Sequence, residues 1–330
     1  MMQLFKDMLS MDSTSGRERE MGLWLSSRLE APEVEVMEVG DGTVNVFLKW
    51  GVPKVVFCSH MDTVPPYIAP SFGNDRICGR GSCDAKGQVF AMYRACRQLE
   101  SEGREGFGLL VLSGEETGSH GAKAFAKTSF RAPYLIVGEP TENHMVSASK
   151  GTKAFALEFS GLPFHSGYPQ MGRSAVDMFV DFMERLRSTA FAEDELLGKT
   201  TWNVGRLVSD NPQNILSPSL TCRIYFRTTF SSDEAVTGWM RSVADPVEGI
   251  PGLKVEELGG DAPAHYLTLP GFPSAAVSFG SDAPHLKNFS KKIICGPGSI
   301  RHAHRSDEHV LIRDLDKAVE MYVKMFYVCK

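Results

Sequence analysis

The sequence has no long apolar segment that could span a membrane. No apolar run approaches the roughly 20 residues that a transmembrane helix needs. The first twenty residues are polar and mixed in charge, unlike the apolar stretch of a signal peptide. The sequence therefore predicts a soluble protein in the cytoplasm.

Paired cysteines and blocks of basic residues are also missing. The seven cysteines are scattered and include no CxxC pair, which argues against a disulfide framework and against a thiolate zinc knuckle. The net charge is -5 and no long block of Lys or Arg is present, so nucleic acid and anionic membranes are not expected partners. A small molecule or a short peptide is the expected partner.

The first half of the chain alternates short apolar runs with helical patterns. Residues 55–58, 109–112 and 135–137 are typical of strands buried on both faces. Residues 84–100 carry apolar residues at nearly a 3.6-residue spacing, and residues 122–127 could form a second, short helix. This alternation predicts an α/β fold with a mixed or parallel sheet, whose ligands bind beyond the carboxyl ends of the strands.

The middle of the chain has a different pattern, typical of a separate α+β unit. Its predicted elements are strands at 154–159, 201–207 and 220–229 and an amphipathic helix at 175–186. Later strands at 275–279 and 292–294, followed by a helix at 312–327, are interpreted as a return to the first sheet. We therefore predict a catalytic domain of residues 1–149 and 262–330, with an inserted domain of residues 150–261.

Several potential metal ligands follow the predicted strands. Each alone is more often an ordinary polar residue, but together they offer two imidazoles and three carboxylates. That set suits a pair of divalent ions with one bridging carboxylate, most simply zinc, with cobalt or manganese as alternatives. The predicted ligands are His60, Asp84, Glu116, Glu139 and His304.

Two further carboxylates stand beside this set. Asp62 can accept the second ring N–H of His60 and so orient it, as carboxylates near metal-bound histidines do. Glu115, adjacent to Glu116, can act as a general base toward water activated by the metal.

These residues lie within sequence motifs that resemble, in order, those of the M20 family of metallopeptidases and deacylases. The motifs are "SHMDTVPP", "GRGSCDAKGQ", "SGEETGSHGA", "GEPT", "HSGYPQMGRSA" and "AHRSDE". The family includes acetylornithine deacetylase, succinyl-diaminopimelate desuccinylase, aminoacylase, carboxypeptidase G and peptidase T. The resemblance extends over nearly the whole chain.

The resemblance implies a co-catalytic metal pair and a dimer. Asp84 would bridge the ions, with His60 and Glu139 on one and Glu116 and His304 on the other. His302 is the alternative to His304, but only His304 has the family's spacing to Asp307 and Glu308. The inserted domain would mediate dimerisation, and its His165 would reach the partner's site to stabilise the oxyanion.

The resemblance also implies residues that bind substrate. Asn214 and Arg227 match positions that bind the substrate carboxylate, again from the partner chain, and the planar guanidinium of Arg227 suits that task. Gly280 and Ser281 resemble a loop on the substrate side of the catalytic domain. Deacylases, desuccinylases and carboxypeptidases of the family carry Glu at the position of Glu139, whereas peptidase T-like aminopeptidases carry Asp.

The sequence thus predicts a dinuclear, zinc-dependent amidohydrolase that acts on an N-acyl amino acid, as acetylornithine deacetylase and the desuccinylase do. A di- or tripeptidase or a carboxypeptidase on the same site is the main alternative. A cysteine hydrolase using Cys83 or Cys58 and a metal-dependent binding module without activity are the others.

Overall fold

The computed structural model describes residues 1–40 and 42–330. The chain forms two compact units. The first consists of Met1–Ser147, Tyr266–Ala275 and Ser281–Lys330, and the second of Ala148–His265 and Ala276–Gly280. Among the described residues, none of the helices combines the length and the apolar character that a membrane span requires.

The secondary structure consists of helices and strands in the following order: α1 (Met2–Ser10), α2 (Arg19–Arg28), β1 (Glu33–Glu38), β2 (Val44–Trp50), β3 (Val55–His60), β4 (Ser71–Phe72), β5 (Arg76–Cys78), α3 (Lys86–Ser101), β6 (Phe107–Leu112), α4 (His120–Ala126), β7 (Ala132–Val137), β8 (Met145–Ser149), β9 (Gly151–Ser160), a 3₁₀ helix (Pro169–Met171), α5 (Ala175–Ser188), β10 (Thr201–Val208), β11 (Ser219–Thr228), α6 (Asp233–Val243), β12 (Leu253–Gly259), β13 (Ala264–His265), β14 (Ser274–Val277), β15 (Phe289–Ile294), β16 (His309–Leu311) and α7 (Ile312–Cys329).

The first unit is built on a six-stranded mixed sheet of order β1-β2-β6-β3-β7-β15. Strands β6, β3, β7 and β15 are parallel, and β2 and β1 add to one side in antiparallel fashion. Every residue of β3 and β6 is buried, as expected for the apolar runs 55–58 and 109–112 that they contain. The predicted α/β class with a mixed sheet is confirmed.

Aromatic rings hold helices of this unit against the sheet and against each other. Tyr322 of α7 lies edge-on to Phe57 of β3, with ring centroids 5.8 Å apart. Phe5 of α1 stacks on Phe90 of α3 at 4.7 Å. Burial of these large side chains contributes much of the favourable free energy of folding.

Two sequence expectations were wrong in detail. Residues 275–279 do not join the six-stranded sheet, because β14 lies in a three-stranded sheet of order β13-β8-β14. Its residues are exposed or half-buried, so it lacks the apolar faces that a strand covered on both sides needs. The helix expected from residue 84 begins two residues later, at Lys86.

The second unit is a four-stranded antiparallel sheet of order β10-β11-β9-β12, packed with α5 and α6. Buried and exposed residues alternate along β11, because one face of the sheet meets the helices. Phe155, Phe159, Phe182 and Phe226 lie in its core.

The parallel strands bring three loops to one edge of the six-stranded sheet. β3 ends at His60, β6 ends at Leu112 and β7 ends at Val137, and the three strands run side by side in the same direction. The segments that follow them carry most of the chemistry-bearing residues.

Candidate metal centre

Four potential ligands converge at this edge. One ligand atom from each of His60, Asp84 and Glu116 lies within 4.8 Å of the others. Asp84 presents one carboxylate oxygen 3.1 Å from Nε2 of His60 and the other 3.3 Å from Nε2 of His304. Nε2 of His304 is also 2.9 Å from Oε1 of Glu116. Asp84 therefore lies between two imidazoles, as a bridging carboxylate must.

Local backbone structure positions His60 and Asp84. His60 is the buried last residue of β3, and Asp84 precedes α3 in a glycine-rich loop. A Cβ at Gly87 would lie 2.3 Å from the backbone oxygen of Ser82, so this position in the first turn of α3 requires glycine. The close packing of loop and helix keeps Asp84 at the edge of the sheet.

The other pair comes from irregular segments. Glu116 lies in the loop between β6 and α4, and His304 lies between β15 and β16 with a left-handed φ of 63°. The sequence could identify both residues, but their approach across 188 positions is decided by the fold.

Glu139 lies two residues beyond β7 and is only 4% exposed. Its Oε1 has no hydrogen-bond partner among the described residues. Burial raises the pKa of Glu139 well above its usual value, and the nearby carboxylates of Glu115 and Asp84 raise it further. A buried carboxylate with one oxygen that lacks a hydrogen bond, close to other carboxylates, is a group that a cation would stabilise.

Asp62 is fully buried and connects His60 to the loop that carries the acidic pair. Its Oδ1 accepts the backbone N–H of Glu115 at 3.0 Å, and its Oδ2 accepts that of Glu116 at 3.2 Å. Nδ1 of His60 lies 3.0 Å from the backbone oxygen of Asp62 and 3.3 Å from its Oδ1. A proton on Nδ1 leaves Nε2 of His60 free to bind a metal.

The charges of the cluster favour a divalent cation. Burial raises the pKa of Glu115 well above its usual value, with further contributions from Asp282 and Glu116. Hydrogen bonds to Asp84 and Glu116 raise the pKa of His304 to about 10. Carboxylates outnumber imidazoles here, and this mixed N/O donor set suits zinc, cobalt or manganese. The residues therefore fit a divalent-metal site.

A buried ion pair that the sequence did not reveal holds the Asp84 loop. Oε2 of Glu308 lies 2.5 Å from Nη1 of Arg80. Oε1 of Glu308 accepts the backbone N–H groups of Gly81, Cys83 and Asp84 at 2.9, 3.1 and 3.2 Å. Both charged residues occur in the quoted motifs, but a pairing 228 positions apart cannot be read from one sequence.

Asp282 is a further residue that the sequence did not reveal. It follows Ser281, is 2% exposed, and burial raises its pKa to about 6. A hydrogen bond from Ser119 partly opposes that rise. In the sequence, Asp282 is marked only by its position next to Gly280 and Ser281, the two residues predicted to form a loop on the substrate side.

The remaining predicted residues lie mainly in the second unit. His165 is exposed in the loop after β9, and its Nδ1 accepts the N–H of Gly167 at 3.1 Å. The backbone oxygen of Asn214 accepts the N–H of Ser166, beside His165, at 2.9 Å. Arg227 lies on β11 with its guanidinium 5.0 Å from the ring centroid of Tyr225.

The two loop residues predicted on the substrate side belong to different units, although they are adjacent in the sequence. Gly280 belongs to the second unit and Ser281 to the first. Ser281 is buried, and its hydroxyl oxygen accepts the N–H of Ala283 at 3.3 Å.

The two candidate nucleophilic cysteines are buried thiols. Burial raises the pKa of Cys58 and of Cys83 well above the usual value, and neighbouring carboxylates raise both further. Protonated thiols are poor nucleophiles, so the cysteine-hydrolase alternative gains no support from their environment.

An imidazole–carboxylate cluster at the carboxyl edge of a mainly parallel sheet is the arrangement of a metal-dependent hydrolase. The chain belongs to peptidase family M20/M25/M40, whose family model matches residues 56–327. The protein is accordingly a hydrolase of a family that acts on peptide bonds, with a possible metal site formed by His, Asp and Glu.

Similar proteins extend over nearly the whole chain. A peptidase M20 domain-containing protein of Schizosaccharomyces pombe is 32% identical over 340 residues, covering 98% of this chain and 84% of that protein. A probable carboxypeptidase of Aspergillus flavus is 31% identical over 366 residues, covering 97% and 85% respectively.

Solved structures share the fold at lower identity. A tripeptidase from Staphylococcus aureus has a TM-score of 0.84 at 18% identity, covering 99% of this chain and 97% of that one. A family M20 metallo-carboxypeptidase from Sulfolobus solfataricus has a TM-score of 0.77 at 15% identity, covering 99% and 98%.

Proposed function

We propose that this protein is a dinuclear, metal-dependent amidohydrolase that releases an amino acid from an N-acyl amino acid. The observation that carries the proposal is the placement of Asp84, which presents one oxygen to His60 and the other to His304. A second supporting observation is that the backbone of Glu115 is fixed beside this cluster by Asp62.

The proposed ligands would divide between two ions, with Asp84 as a ligand of both. His60 and Glu139 would complete one coordination sphere, and Glu116 and His304 the other. When bound, divalent ions such as zinc lower the pKa of water and polarise an amide carbonyl. Cobalt and manganese suit the same donors.

Glu115 is the proposed general base. Its carboxylate would accept a proton from the attacking water and then donate it to the departing amine. The backbone N–H groups of Glu115 and Glu116 both donate to Asp62, and these two bonds hold the loop. In the proposal Glu115 acts as the base and Glu116 as a metal ligand. His165 is the proposed donor to the oxyanion.

The free carboxylate of the departing amino acid is the proposed anchor of the substrate. Arg227 of the partner subunit is the principal candidate for this contact and Asn214 of the partner subunit a second, with Gly280 and Ser281 as a further part of the binding site. A guanidinium can grip a carboxylate with two parallel hydrogen bonds.

A carboxypeptidase or di- or tripeptidase activity is the second candidate. Similarity to proteins named probable carboxypeptidases, at 31% identity over 97% of the chain, favours it. Both candidates break an amide bond to an amino acid that carries a free carboxylate, so the same anchor serves either.

A hydrolysis screen tests both candidates. The protein is stripped with a chelator, resupplied with zinc, cobalt or manganese, and offered N-acetyl, N-succinyl and N-formyl amino acids beside di- and tripeptides. N-acetyl amino acid amides, which lack the carboxylate, are the matched control. Hydrolysis of the N-acyl acids but not of peptides supports a deacylase, and the reverse supports a peptidase.

Glu115→Gln separates catalysis from metal binding in the same screen. Glutamine preserves the shape of the side chain but cannot accept the proton, so turnover should be lost while metal content is kept. Full activity of E115Q, or metal-independent activity of the wild type, would refute the proposed mechanism.

The second unit is proposed to form a homodimer through which His165 acts on the partner's site. β10 is an edge strand with exposed Leu207 and Val208, 52% and 58% accessible, and such edges can pair with a second copy. The test mixes two inactive variants, H165A and E115Q. Action across a dimer predicts recovery of about a quarter of wild-type activity, since half the dimers are mixed and one site in each is complete.

A further inference from the structure

The N-terminal segment at residues 13–15 pairs with the chain that follows β3. The N–H of Thr63 donates to the backbone oxygen of Ser13 at 3.1 Å, and the N–H of Ser15 donates to that of Thr63 at 3.0 Å. The hydroxyl of Ser13 donates to the backbone oxygen of Met61 at 2.7 Å. This segment lies outside residues 56–327, which the family model matches.

The pairing places a hydroxyl on the buried carboxylate of Asp62. The Oγ of Ser15 donates to Oδ2 of Asp62 at 2.8 Å, with the backbone oxygen of Thr63 a more distant acceptor at 3.4 Å. The bond to Asp62 is the shorter of the two and meets a charged acceptor, which makes it the stronger.

The two oxygens of Asp62 are thus held by different groups. Oδ1 faces the N–H of Glu115 and the ring of His60, while Oδ2 faces the hydroxyl of Ser15 and the N–H of Glu116. Without the hydroxyl, Oδ2 would keep one hydrogen bond, the longer one of 3.2 Å to Glu116. Because Oδ2 would lose the shorter of its two hydrogen bonds, the carboxylate would be held less tightly and could rotate more freely.

We propose that Ser15 is a positioning residue for the hydrolytic reaction. It fixes the rotation of Asp62, and through Asp62 it fixes the loop that carries Glu115 and Glu116. The proposal rests on the proposed function for the roles of Asp62 and Glu115, whereas the hydrogen bonds themselves do not depend on it. Ser15 is then the residue through which the N-terminal segment contributes to the active site.

The test compares three variants of the full-length protein at saturating metal. Ser15→Ala removes the hydroxyl, and Ser15→Thr keeps it. Ser13→Ala is the matched control, because it removes a buried hydroxyl two residues away that contacts a backbone oxygen and not Asp62. S15A should lower kcat about tenfold, as changes around metal ligands commonly do, with KM nearly unchanged. S15T should restore most of the loss, and S13A should keep the wild-type kcat.

Hydrogen exchange provides a readout that does not need activity. The backbone N–H groups of Glu115 and Glu116 should exchange faster in S15A than in S13A or S15T, because their acceptor has become mobile. Equal exchange in S15A and S13A, or equal kcat in the two, would overturn the role of Ser15. If the wild type hydrolyses no substrate in the screen, the proposed function fails, and the exchange experiment still decides whether Ser15 fixes Asp62.

Discussion

The ion pair between Arg80 and Glu308 provides the sharpest stability prediction. Arg80 is 2% exposed and Glu308 is 1% exposed, so neither charge can be solvated if the other is removed. The change to test is Glu308→Gln, which keeps the size of the side chain and removes its charge. Arg80→Met is the complementary change, and the double variant removes both charges.

The expected magnitude follows from burial and from the number of bonds lost. Removing one member of a buried ion pair costs about 3–5 kcal/mol, because the partner is left buried and unpaired. Glu308→Gln also weakens the acceptor of three backbone N–H groups in the Asp84 loop. The double variant should cost less than the two single variants together, since it leaves no unpaired charge.

Urea unfolding followed by tryptophan fluorescence measures these costs. Replacing Trp202 and Trp239 by Phe restricts the signal to the first unit, where Trp50 is buried and stacked on Phe107. Asp307→Asn is the matched control, because it breaks an exposed pair with Arg305 in the same segment and should leave stability unchanged. Additive single-variant costs, or an E308Q cost no greater than that of D307N, would refute the reasoning.

Three further predictions concern metal, pH and packing. Adding zinc to chelator-treated protein should raise Tm by mass action, and His60→Ala should abolish the shift; an undiminished shift in H60A would contradict the assigned site. Burial lowers the pKa of Lys86 to about 7. Between that pH and the ordinary pKa of 10.5, Lys86 of the metal-free protein is therefore protonated in the unfolded state and neutral in the folded state. The wild type should therefore gain about 2–3 kcal/mol relative to Lys86→Met when urea unfolding is repeated at about pH 9 instead of about pH 7, and parallel pH profiles would exclude this. Gly121→Ala should lower Tm strongly, because its Cβ would lie 2.4 Å from Oδ1 of Asn45; a Tm equal to that of Gly238→Ala, an open position, would count against the tight contact.

Local sequence determined the strands that carry the site. Residues 55–58 and 109–112 are short, uninterrupted apolar runs, which are typical of strands covered on both faces. The polar residues that follow such strands had to meet at one edge, because the strands are parallel. For this reason the sequence indicated His60 and Glu116 as neighbours although 56 positions separate them. By contrast, β14 was assigned to the wrong sheet, because a short strand carries little information about its pairing partner.

The tertiary structure alone decided how the ligands are held. Glu308 and Arg80 are charged residues that would ordinarily be exposed, and nothing in their local sequence states that they are buried against each other. Ser15 likewise lies in a segment of mostly small and polar residues, and nothing in that segment states that its hydroxyl donates to the carboxylate of Asp62. Periodicity reports which face of an element is buried, whereas hydrogen bonds between distant segments depend on where the whole chain places them. The sequence therefore indicated the candidate metal ligands and the candidate general base, and the packing of the fold decided which residues hold them in place.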